Sequence, residues 1–376
     1  MTQTVLLGDL VEVVRGISYR SADYAKQGEG LPFVNLKCVG RGGGFRQDGI
    51  KYYKGDFRPE QNVQPGDILI ANTDLTQNRE VIGSPIIMPD IGDEACFSLD
   101  LSKLVVKDDN KVDQQYLYYF LKSPAARSYM LASSNGSTVM HLSVKSIPKM
   151  SLDLPDIATQ KKIADILGSL DEKIELNCQM SHRLEQMGQA LFRHHFIDNP
   201  EAEKWEVIKL GDKVTPRRGK SLQSRDMRQG AIPVVSGGLN PAGTHDESNT
   251  TAPVVTVSAS GANAGYTALW GENVWSADSS FIDSTITPNV YFYYIFMSLN
   301  QKRLYEMQTG SGQPHIYPKH IELLEMPNAP NELILEFNNE VAPYFEKLEE
   351  NKKQTQTLTT LRDTLLPKLI SGEIEV

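Results

Sequence analysis

The segment IADILGSLDEKIELNCQMSHRL (163–184) carries an apolar seam whose positions alternate in steps of four and three residues. Such alternation is typical of a helix that packs along its length against a second helix. Residues 157–196 contain no proline, so we predict a helix of about 40 residues, ~60 Å long at a rise of ~1.5 Å per residue. The predicted seam consists of Ile163, Leu167, Leu170, Ile174, Asn177, Ser181 and Leu184.

The same pattern returns in FNNEVAPYFEKLEENKKQTQTL (337–358), at an offset of 174 in residue number. Both copies place asparagine and then serine or threonine in mid-seam, where a buried asparagine fixes helix register at a cost in stability. Matched seams favour two helices that pair with each other, and equivalent domains on each would make the pair antiparallel. The alternative is two amphipathic helices that pack only on their own domains. The second seam consists of Phe337, Val341, Tyr344, Leu348, Asn351, Thr355 and Leu358.

The rest of the chain repeats on the same plan. The tripeptide LGD at 7–9 returns at 210–212, an offset of 203, and an Arg-Gly pair follows at the same offset. The block GSTVMHLSVKSI (136–147) returns as GSGQPHIYPKHI (310–321), at the smaller offset of 174 that the helices also show, so the second half is shortened in its middle. Short β-branched runs between Gly, Pro, Asn and Ser clusters predict strands joined by loops in each half.

We therefore predict an α+β fold with two globular α/β domains, separated by two long helices that form an antiparallel coiled coil with a pseudo-two-fold internal repeat. The predicted parts are a first domain (1–155), a first helix (156–200), a second domain (201–330) and a second helix (331–376).

Composition argues both for and against particular functions. A net charge of −9 is unlike the basic footprint of most nucleic-acid-binding proteins, and residues 331–376 are the most acidic part, with 5 basic and 9 acidic residues. No apolar run approaches the ~20 residues that span a bilayer, and the N-terminus does not resemble a signal peptide. The cysteines Cys38, Cys96 and Cys178 lie far apart, which excludes a disulfide scaffold or zinc finger and favours a reducing cytoplasm.

Catalytic motifs are missing from the sequence. Residues 211–221 end in Gly-Lys-Ser like a phosphate-binding loop, but seven residues separate the glycines where that loop requires four. Neither an AdoMet loop with its Asn/Asp-Pro-Pro-aromatic partner, nor His-Glu-x-x-His, nor Gly-x-Ser-x-Gly occurs. The sequence therefore predicts a protein without catalytic activity of its own and without a metal site.

A globular domain and a long helix, both present twice, resemble the specificity subunit of type I restriction–modification systems. The resemblance covers essentially the whole chain, and the order of several short markers carries it. These markers are the repeated LGD, GDIL (66–69), SGANAGY (260–266), the repeated GS…H…K…I block, QKKIA (160–164) and LLPKLISGEI (365–374).

The resemblance implies that the globular parts are target-recognition domains and the helices are conserved spacer regions. It implies that the chain binds double-stranded DNA and assembles with two adenine-N6 methyltransferase (M) subunits and with restriction (R) subunits. AdoMet, ATP and Mg²⁺ would belong to those partners, and this chain would hold no cofactor.

Two domains on a stiff coiled coil would contact two half-sites separated by base pairs that the protein does not contact. Contact with one face of the duplex favours half-site centres about one turn, ~34 Å, apart. Because the two domains differ in sequence, we predict an asymmetric, bipartite target. The acidic 331–376 segment is predicted to bind a protein partner, so charge reversal at Glu346, Glu349 and Glu350 should weaken that binding.

Lys and Arg supply affinity for phosphates, while base-edge contacts supply specificity. In the first domain, Gly40–Lys54 is glycine-rich, basic and aromatic, and its flexibility would let it wrap a duplex; a solvated surface loop is the alternative. Amide and guanidinium groups after the strand at 67–71 suit base edges, although amides are also ordinary turn residues. The candidates are Arg41, Arg46, Lys51, Lys54, Asn72, Thr73, Gln77, Asn78 and Arg79.

In the second domain, Lys204–Arg228 holds eight basic and three acidic residues, the clearest positive stretch of the chain. A Gly/Ala/Ser-rich stretch at 258–266 would let the backbone approach DNA closely. The candidates are Arg217, Arg218, Lys220, Arg225, Arg228, Ser258, Ser260 and Asn263.

The repeated block supplies candidates in both domains. Small residues followed by His and Lys suit phosphate or groove contacts, but the block can equally be a structural junction into the long helix. Gln313-Pro314 replaces Val139-Met140, which predicts different base recognition by the two domains. The candidates are Ser137, His141, Lys145, Ser311, Gln313, His315 and Lys319.

Two other classes of protein compete with this interpretation. The first is an adaptor or scaffold with two ligand-binding domains on a coiled coil and no DNA, which the net charge of −9 supports. It predicts no salt-dependent DNA binding by the assembled complex. The second is a fragment of a fused restriction–methylation enzyme, and the lack of any methyltransferase motif argues against it.

Overall fold

The computed structural model describes residues 3–310 and 312–376, and contacts within it divide the chain into two units. Unit 1 holds residues 3–173 and 358–376, and unit 2 holds residues 174–357. Each unit therefore contains one globular domain together with a segment of each long helix.

The first half of the chain consists of one domain and a 40-residue helix. Its strands are β1 (Gln3–Leu6), β2 (Val11–Arg15), β3 (Tyr24–Ala25), β4 (Leu31–Val34), β5 (Lys51–Tyr53), β6 (Asn62–Val63), β7 (Ile68–Ala71), β8 (Thr73–Asp74), β9 (Pro85–Ile87), β10 (Ala95–Phe97), β11 (Leu101–Val106), β12 (Ser134–Asn135), β13 (Met140–Leu142) and β14 (Ser151–Leu154). Its helices are α1 (Leu7–Leu10), α2 (Gln114–Lys122), α3 (Pro124–Ala132) and α4 (Ile157–Phe196).

The second half has the same plan with fewer strands. These strands are β15 (Val207–Lys209), β16 (Arg217–Arg218), β17 (Ile232–Val235), β18 (Gly243–His245), β19 (Val254–Ser258), β20 (Thr267–Trp270), β21 (Trp275–Ser276), β22 (Ser279–Asp283) and β23 (Glu325–Pro327). The helices are α5 (Val290–Leu299), α6 (Gln301–Glu306), α7 (Pro318–Glu322) and α8 (Asn331–Ile370).

In unit 1, an antiparallel sheet has the order β2-β11-β7-β9, and a larger one has the order β3-β5-β4-β10-β6. Strand β7 is the uninterrupted apolar run ILIA, and all four of its residues are buried, as expected for a strand covered on both faces. Helix α2 is capped by Asp113, whose carboxylate accepts from the N–H of Tyr116, and it packs Tyr116 and Leu117 into the same core. Two smaller sheets, β1-β14 and β12-β13-β8, complete the unit.

In unit 2, the corresponding sheets are β16-β22-β19-β20, β18-β17-β21 and β15-β23. The first of these contributes Val255 and Val257 of β19 to the main core of the unit. The register of the strands reproduces the sequence repeat. Leu6 pairs with Ser151 in unit 1, and Lys209 pairs with Glu325 in unit 2, so the paired positions show the same two offsets, 203 and 174, as the sequence.

A second pair of strands shows where the second half is shortened. Arg15 of β2 pairs with Ser102 of β11, and Arg218 of β16 pairs with Ser280 of β22. The offset falls from 203 for the arginines to 178 for the serines, so most of the shortening lies between these two strands. The two domains therefore share one core, and they differ mainly in the connections between its strands.

The two long helices pair in antiparallel orientation. In unit 2, the amide Nδ2 of Asn177 donates to Oε1 of Gln354 at 2.9 Å, and Nδ2 of Asn351 lies 3.5 Å from the hydroxyl of Ser181. As the residue number rises along α4, the number of its partner falls along α8. The predicted fold class, including the antiparallel helix pair, is confirmed.

Every predicted seam position is buried or half-buried in its own unit, and none is exposed. Ile163 and Leu167 share a core cluster with Tyr116, and Phe337 and Val341 share one with the helices of unit 2. The helices therefore pair with each other and also pack on the domains, so the predicted pairing is confirmed and packing on the domains alone is excluded. The buried positions are Ile163, Leu167, Asn177, Phe337, Val341 and Asn351; the half-buried ones are Leu170, Ile174, Ser181, Leu184, Tyr344, Leu348, Thr355 and Leu358.

A cluster of charged groups ties the helices to the domain of unit 1. The carboxylate of Asp171 on α4 lies 2.6 Å from Nη1 of Arg362 on α8 and 3.6 Å from Nζ of Lys122 on α2. It also accepts a hydrogen bond from the hydroxyl of Tyr119 at 2.9 Å. Burial lowers the pKa of Lys122 even though Asp171 lies beside it. Unit 2 uses aromatic packing instead, with the ring centroids of Phe196 and Phe337 at 5.2 Å.

Candidate nucleic-acid interface

Unit 1 brings two predicted DNA-binding segments together on the small sheet β12-β13-β8. Thr73 of β8 pairs with His141 of β13, and the N–H of Leu142 donates to the carbonyl of Asn72. The turn that follows β8 therefore lies beside the hairpin of the repeated block. The exposed candidates on these segments are Gln77, Asn78, Ser137 and His141, with Arg79 in the same turn and Lys145 on the 3-10 turn that follows.

One buried carboxylate organises the turn after β8. Asp74 is 1% exposed, and its carboxylate accepts from the backbone N–H groups of Thr76, Val81 and Ile82 at 2.6–2.7 Å. Burial alone would raise the pKa of Asp74, but these hydrogen bonds hold it below its usual value. Arg79 adopts a left-handed backbone conformation with φ of 58°. The turn is therefore held in one shape by its own backbone contacts.

Asn72 and Thr73 do not fit the predicted role in base recognition. Asn72 is 5% exposed, and its amide donates to the hydroxyl of Ser102 at 2.9 Å. Thr73 is 7% exposed, and its hydroxyl donates to the carboxylate of Asp100 at 3.2 Å. Because their polar groups are buried and bonded within the domain, the structure makes them framework residues. The exposed end of the segment, at 77–79, keeps the predicted role.

The loop Gly40–Lys54, which was predicted to be flexible, is joined to the rest of the domain by backbone hydrogen bonds and contains a strand. The N–H of Gly42 donates to the carbonyl of Glu80, the N–H of Gly44 donates to that of Pro85, and Lys51–Tyr53 form strand β5. These backbone hydrogen bonds connect the glycines of the loop to neighbouring segments, and its flexibility stays a prediction. The loop also lies next to the turn at 75–80, since Arg41 forms an ion pair with Glu80 at 3.4 Å.

The basic candidates of this loop differ in what surrounds them. Arg46 is exposed, but its guanidinium forms two hydrogen bonds to the carboxylate of Asp48, which partly neutralises it. Lys54 is exposed. Nζ of Lys51 lies 4.1 Å from the ring centroid of Tyr24, a cation–π arrangement. Lys51 and Lys54 are therefore the candidates of the loop whose charge no carboxylate offsets in the described residues.

A cavity of about 320 Å³ opens beside β8, and sequence reasoning missed most of its lining. It is lined by the rings of Tyr19 and Tyr24, by Lys51 and by the carboxylate of Asp100. Leu75 also lines the cavity, and it is 66% exposed. Apolar side chains can contact the thymine methyl group, so this turn offers apolar as well as polar contacts.

In unit 2, the positive stretch Lys204–Arg228 does not form one surface. Lys204 pairs with Glu201 at 2.6 Å, and Nζ of Lys213 donates to Asn331 at the start of α8. Arg228 is paired with two carboxylates, those of Asp246 and Glu247, each at 2.8 Å. The prediction of a single basic footprint is wrong because the chain turns away after each short segment and acidic residues distant in sequence offset part of the charge.

Besides Arg228, four of the predicted basic residues lie on or after β16. Arg217 is exposed, with Nη1 3.5 Å from the hydroxyl of Thr285, and Lys220 is exposed with Nζ 6.0 Å from the ring centroid of Trp275. Arg225 lies on the next 3-10 turn, 79% exposed, with Asp226 at 3.8 Å. Arg218 lies between them and makes the contacts described next.

Arg218 is held by a carboxylate and an aromatic ring. Its Nη2 donates to Oδ1 of Asp278 at 2.6 Å, and its guanidinium carbon lies 6.0 Å from the ring centroid of Tyr317. The other oxygen of Asp278 accepts a hydrogen bond from the hydroxyl of Ser260. His315 stacks on Tyr317 with a centroid distance of 6.1 Å, and it pairs with Ser260 through a β-bridge. The structure thus joins three predicted residues with two that sequence reasoning missed, Asp278 and Tyr317.

The other candidates of unit 2 are less well placed or less fixed. Ser258 is 4% exposed with its hydroxyl buried, so it belongs to the core and does not face DNA as predicted. Asn263 is half-buried, and its Nδ2 lies 3.4 Å from the carbonyl of Gly237. Gln313 and Lys319 follow on the repeated block. Ser311 lies outside the described residues.

The two units share one arrangement around an aspartate. In unit 1, the carbonyl of Asp100 accepts from the N–H of Asn72 and its carboxylate from the hydroxyl of Thr73. In unit 2, Asp278 makes the same two contacts with the N–H of Ala259 and the hydroxyl of Ser260. A sequence signal existed, because Ser-x-Asp at 98–100 returns at 276–278, the offset of 178 that β11 and β22 also show.

Within residues 3–310 and 312–376, no cluster of three or more His, Cys, Asp or Glu could hold a metal ion. Nor does any helix in this part of the chain combine the length and apolarity that a membrane span requires.

Comparisons with known proteins agree with this architecture. A family model described as the type I restriction modification DNA specificity domain matches residues 2–186 and again residues 202–364. The type I restriction enzyme MjaIX specificity subunit of Methanocaldococcus jannaschii is 26% identical over 302 residues, 70% of this chain and 70% of that protein. A putative type I specificity subunit of Mycoplasma genitalium is 24% identical over 285 residues, 71% of this chain and 73% of that protein.

The fold is also similar to a solved structure. The crystal structure of a type I restriction–modification S subunit from M. genitalium has a TM-score of 0.67 and 19% sequence identity, and the alignment covers 98% of this chain and 96% of that one. At this identity the likeness concerns the fold. The two segments matched by the family model correspond to the two halves that the strand registers relate.

Proposed function

The chain belongs to the family of type I restriction–modification DNA specificity domains, and on this premise we propose that it recognises an asymmetric, bipartite DNA target with one half-site for each unit. It is a specificity subunit that recognises DNA sequence; its relatives are specificity subunits too, a class without catalytic activity. The observation that carries the bipartite target is the shared strand register of the two domains, combined with different side chains at equivalent exposed places.

Each unit offers the groups that DNA recognition needs. Charged residues without an offsetting carboxylate, such as Lys51 and Arg217, would contact phosphates and position the domain. Gln77, Asn78 and Arg79 in unit 1 and Gln313 in unit 2 would contact base edges, because amides suit adenine and guanidinium suits guanine. The acidic net charge is compatible with this, since it is concentrated elsewhere in the chain.

The helix pair would keep the two half-sites at a fixed separation. Asn177 and Asn351 are buried in mid-seam, and such polar positions oppose a slip of one helix along the other. If both half-sites lie on one face of the duplex, their centres would be about one helical turn, ~34 Å, apart.

The partners of the proposed complex are methyltransferase (M) and restriction (R) subunits, which would supply AdoMet- and ATP-dependent chemistry and bind Mg²⁺. Leu176, Met180 and Met187 form an exposed apolar stripe on α4, 40–57% exposed, and we propose that an M subunit covers it. Exposed apolar residues at helical spacing on an otherwise polar helix are suited to contact with an apolar groove or helix of a partner protein.

The acidic residues predicted to bind a partner are not equivalent. Glu349 is 9% exposed and lies 3.9 Å from Lys352, so its replacement would disturb unit 2 and would not report on docking. Glu346 is exposed and remains a suitable position for charge reversal.

The function is tested by mapping N6-methyladenine by long-read sequencing in a methylation-free host that expresses this chain with an M subunit that co-purifies with it. A new bipartite motif that disappears without this chain supports the proposal. A folded, co-purifying complex that produces no new methylation contradicts it and favours the adaptor alternative. Salt-dependent binding of the complex to DNA separates the two functions further, since an adaptor would show none.

Docking is tested with the double substitution Leu176→Glu and Met180→Glu. Both side chains are exposed, so the chain should fold normally, while its affinity for the M subunit should fall at least tenfold. Leu239→Glu is the matched control, because Leu239 is 56% exposed on a loop outside the long helices. Equal co-purification of both variants with the M subunit would place docking on another surface.

A further inference from the structure

Arg218 differs from its exposed neighbours Arg217 and Lys220 because its orientation is fixed before any ligand arrives. Asp278 holds Nη2 from one side at 2.6 Å, and the ring of Tyr317 lies near the guanidinium group. Asp278 is itself fixed by the hydroxyl of Ser260 and by the N–H of Ala259, which donates to its carbonyl. The side chain of Arg218 remains 38% exposed, so a ligand can still reach it.

The equivalent arginine of unit 1 is not held in this way. Arg15 has the same strand register as Arg218, and it is exposed with no carboxylate partner among the described residues. The equivalent carboxylate, Asp100, accepts from the hydroxyls of Tyr19 and Thr73. The same position on the shared framework therefore carries an oriented arginine in one unit and an unoriented one in the other.

A pre-oriented arginine is suited to a base edge. Guanidinium has five N–H donors, and the contact with Asp278 uses one N–H of Nη2, so the second N–H of Nη2 can still form a parallel pair with an N–H of Nε or Nη1. An arginine edge donates two parallel hydrogen bonds to O6 and N7 of guanine, and no other base presents this pair of acceptors in the major groove. Fixing the side chain in advance lowers the entropy cost of that contact.

The same geometry is poorly suited to a phosphate. The affinity of a phosphate contact depends on net positive charge, and the carboxylate of Asp278 offsets most of the charge of Arg218. Arg217 and Lys220 on either side have no carboxylate within ion-pair distance in the described residues, so they suit the backbone of the same duplex.

We propose that Arg218 recognises a guanine in the half-site of unit 2, and that Asp278 and Tyr317 are positioning residues that orient it. This inference rests on the proposed function and adds one base to it. Because unit 1 does not orient Arg15, the guanine requirement belongs to one half-site and contributes to the asymmetry of the target.

The experiment compares methylation motifs of complexes that contain the wild-type chain, Arg218→Ala or Arg218→Lys. We expect one guanine–cytosine pair in a single half-site to lose its preference by about tenfold to a hundredfold in Arg218→Ala, while every other position is unchanged. Lysine keeps the charge but lacks the paired donors, so Arg218→Lys should also relax that position. Arg15→Ala is the matched control, and it should leave the preference for that guanine–cytosine pair unchanged.

The possible outcomes separate the two proposals. If the wild-type complex directs no methylation, the proposed function fails and the inference fails with it. If the wild-type motif appears and Arg218→Ala weakens methylation equally at all sequences, or Arg218→Lys behaves as wild type, Arg218 contacts a phosphate and only the inference is wrong. Should Arg218→Ala abolish methylation, the base preference is measured by competition binding of the same complex to duplexes with single substitutions, and an unchanged preference overturns the inference.

The positioning role has its own measurement. Asp278→Asn keeps the shape of the side chain but removes its charge, and it should relax the same base position as Arg218→Ala. Tyr317→Leu should do so too, whereas Tyr317→Phe keeps the ring and should retain the preference. A purely structural role would lower methylation at all sequences alike and would leave the motif unchanged.

Discussion

The turn after β8 in unit 1 and its counterpart in unit 2 begin from the same framework and end in different surfaces. Thr73 and Ser260 occupy equivalent positions, since each pairs with a histidine of the repeated block and donates to an aspartate. The next residue is Asp74 in unit 1 and Gly261 in unit 2. Asp74 folds a long turn onto its carboxylate, whereas the N–H of Gly261 simply donates to the carbonyl of Pro314.

This difference shows that the position of the exposed segment and the side chains it presents are determined by different parts of the domain. The shared register decides where a recognition segment leaves the sheet, and the residues beyond that point decide which groups it presents. Under the proposed bipartite target, a chain built from two such domains could change one half-site without altering the core or the other half-site.

The comparison predicts its largest effect at Asp74. Asp74→Ala would leave three backbone N–H groups without an acceptor, two of them on the buried residues Val81 and Ile82. We expect a loss of about 3 kcal/mol in the free energy of unfolding of unit 1. Denaturant unfolding followed by hydrogen exchange measures it; unit 2 of the same chain is the internal reference, and its stability should be unchanged. A loss below about 1 kcal/mol would mean that the turn is not anchored by this carboxylate.

The stability that Asp74 contributes to the turn of unit 1 should depend on pH, and unit 2 has a glycine at the equivalent position. Because the pKa of Asp74 is lower in the folded than in the unfolded chain, its contribution is present above the unfolded pKa of about 4 and is lost as pH falls through the folded value. Protection of the turn in unit 1 should therefore decrease below about pH 4. Asp74→Asn should remove this component of the acid sensitivity, and an unchanged acid profile would contradict the assignment.

A smaller effect is expected where the long helices attach to the domains. Asp171→Ala would remove the carboxylate shared by Arg362 and Lys122, whose side chains are 18% and 12% exposed. Allowing for this partial exposure, we expect a loss of about 2 kcal/mol in unit 1. The control in unit 2 is Glu185→Ala, which removes the acceptor of the Tyr294 hydroxyl and should cost about 1 kcal/mol. Equal losses would show that the two attachments are energetically alike.

The sequence predicted the repeated framework well, for physical reasons. Seam spacing depends on helix geometry alone, so positions such as Ile163 and Val341 could be placed from the 4–3 alternation. The offsets of 203 and 174 reappear as strand register, because insertions between strands leave the pairing of the strands intact.

The recognition surface was harder to predict, because it depends on contacts between distant residues. Asn72 was expected to face DNA, yet Ser102 and the sheet bury it, and the pattern of polar residues after a strand cannot reveal that. Asp278 was missed because it lies far from Arg218 in sequence, and only the pairing of β16 with β22 brings them together. The charge of Arg228 was counted without Asp246 for the same reason.

The smallest predicted effect concerns the middle of the helix pair. Asn177 and Asn351 occupy equivalent positions of the two seams, but they form different hydrogen bonds. Asn177 is fully buried and its Nδ2 donates to the exposed Gln354, but its Oδ1 has no hydrogen-bond partner among the described residues. Asn351 makes one long contact with Ser181, and neither of its polar side-chain atoms is left buried without a partner. Asn177→Leu should therefore raise the free energy of unfolding by about 1 kcal/mol, and Asn351→Leu by less.

The substitution that stabilises the helix pair at Asn177 should also make the distance between the two proposed half-sites less strictly defined. With leucine at both positions, the middle of the seam loses both of its asparagines, and less opposes a shift by one heptad. One heptad is about 10 Å along a helix, which corresponds to about three base pairs at ~3.4 Å each. Methylation by the double variant should then extend to targets whose half-sites are separated by about three base pairs more or fewer, while both half-site sequences stay unchanged. A spacer as strict as that of the wild type, together with the expected gain in stability, would show that the domains packed on the helices set the register without the asparagines.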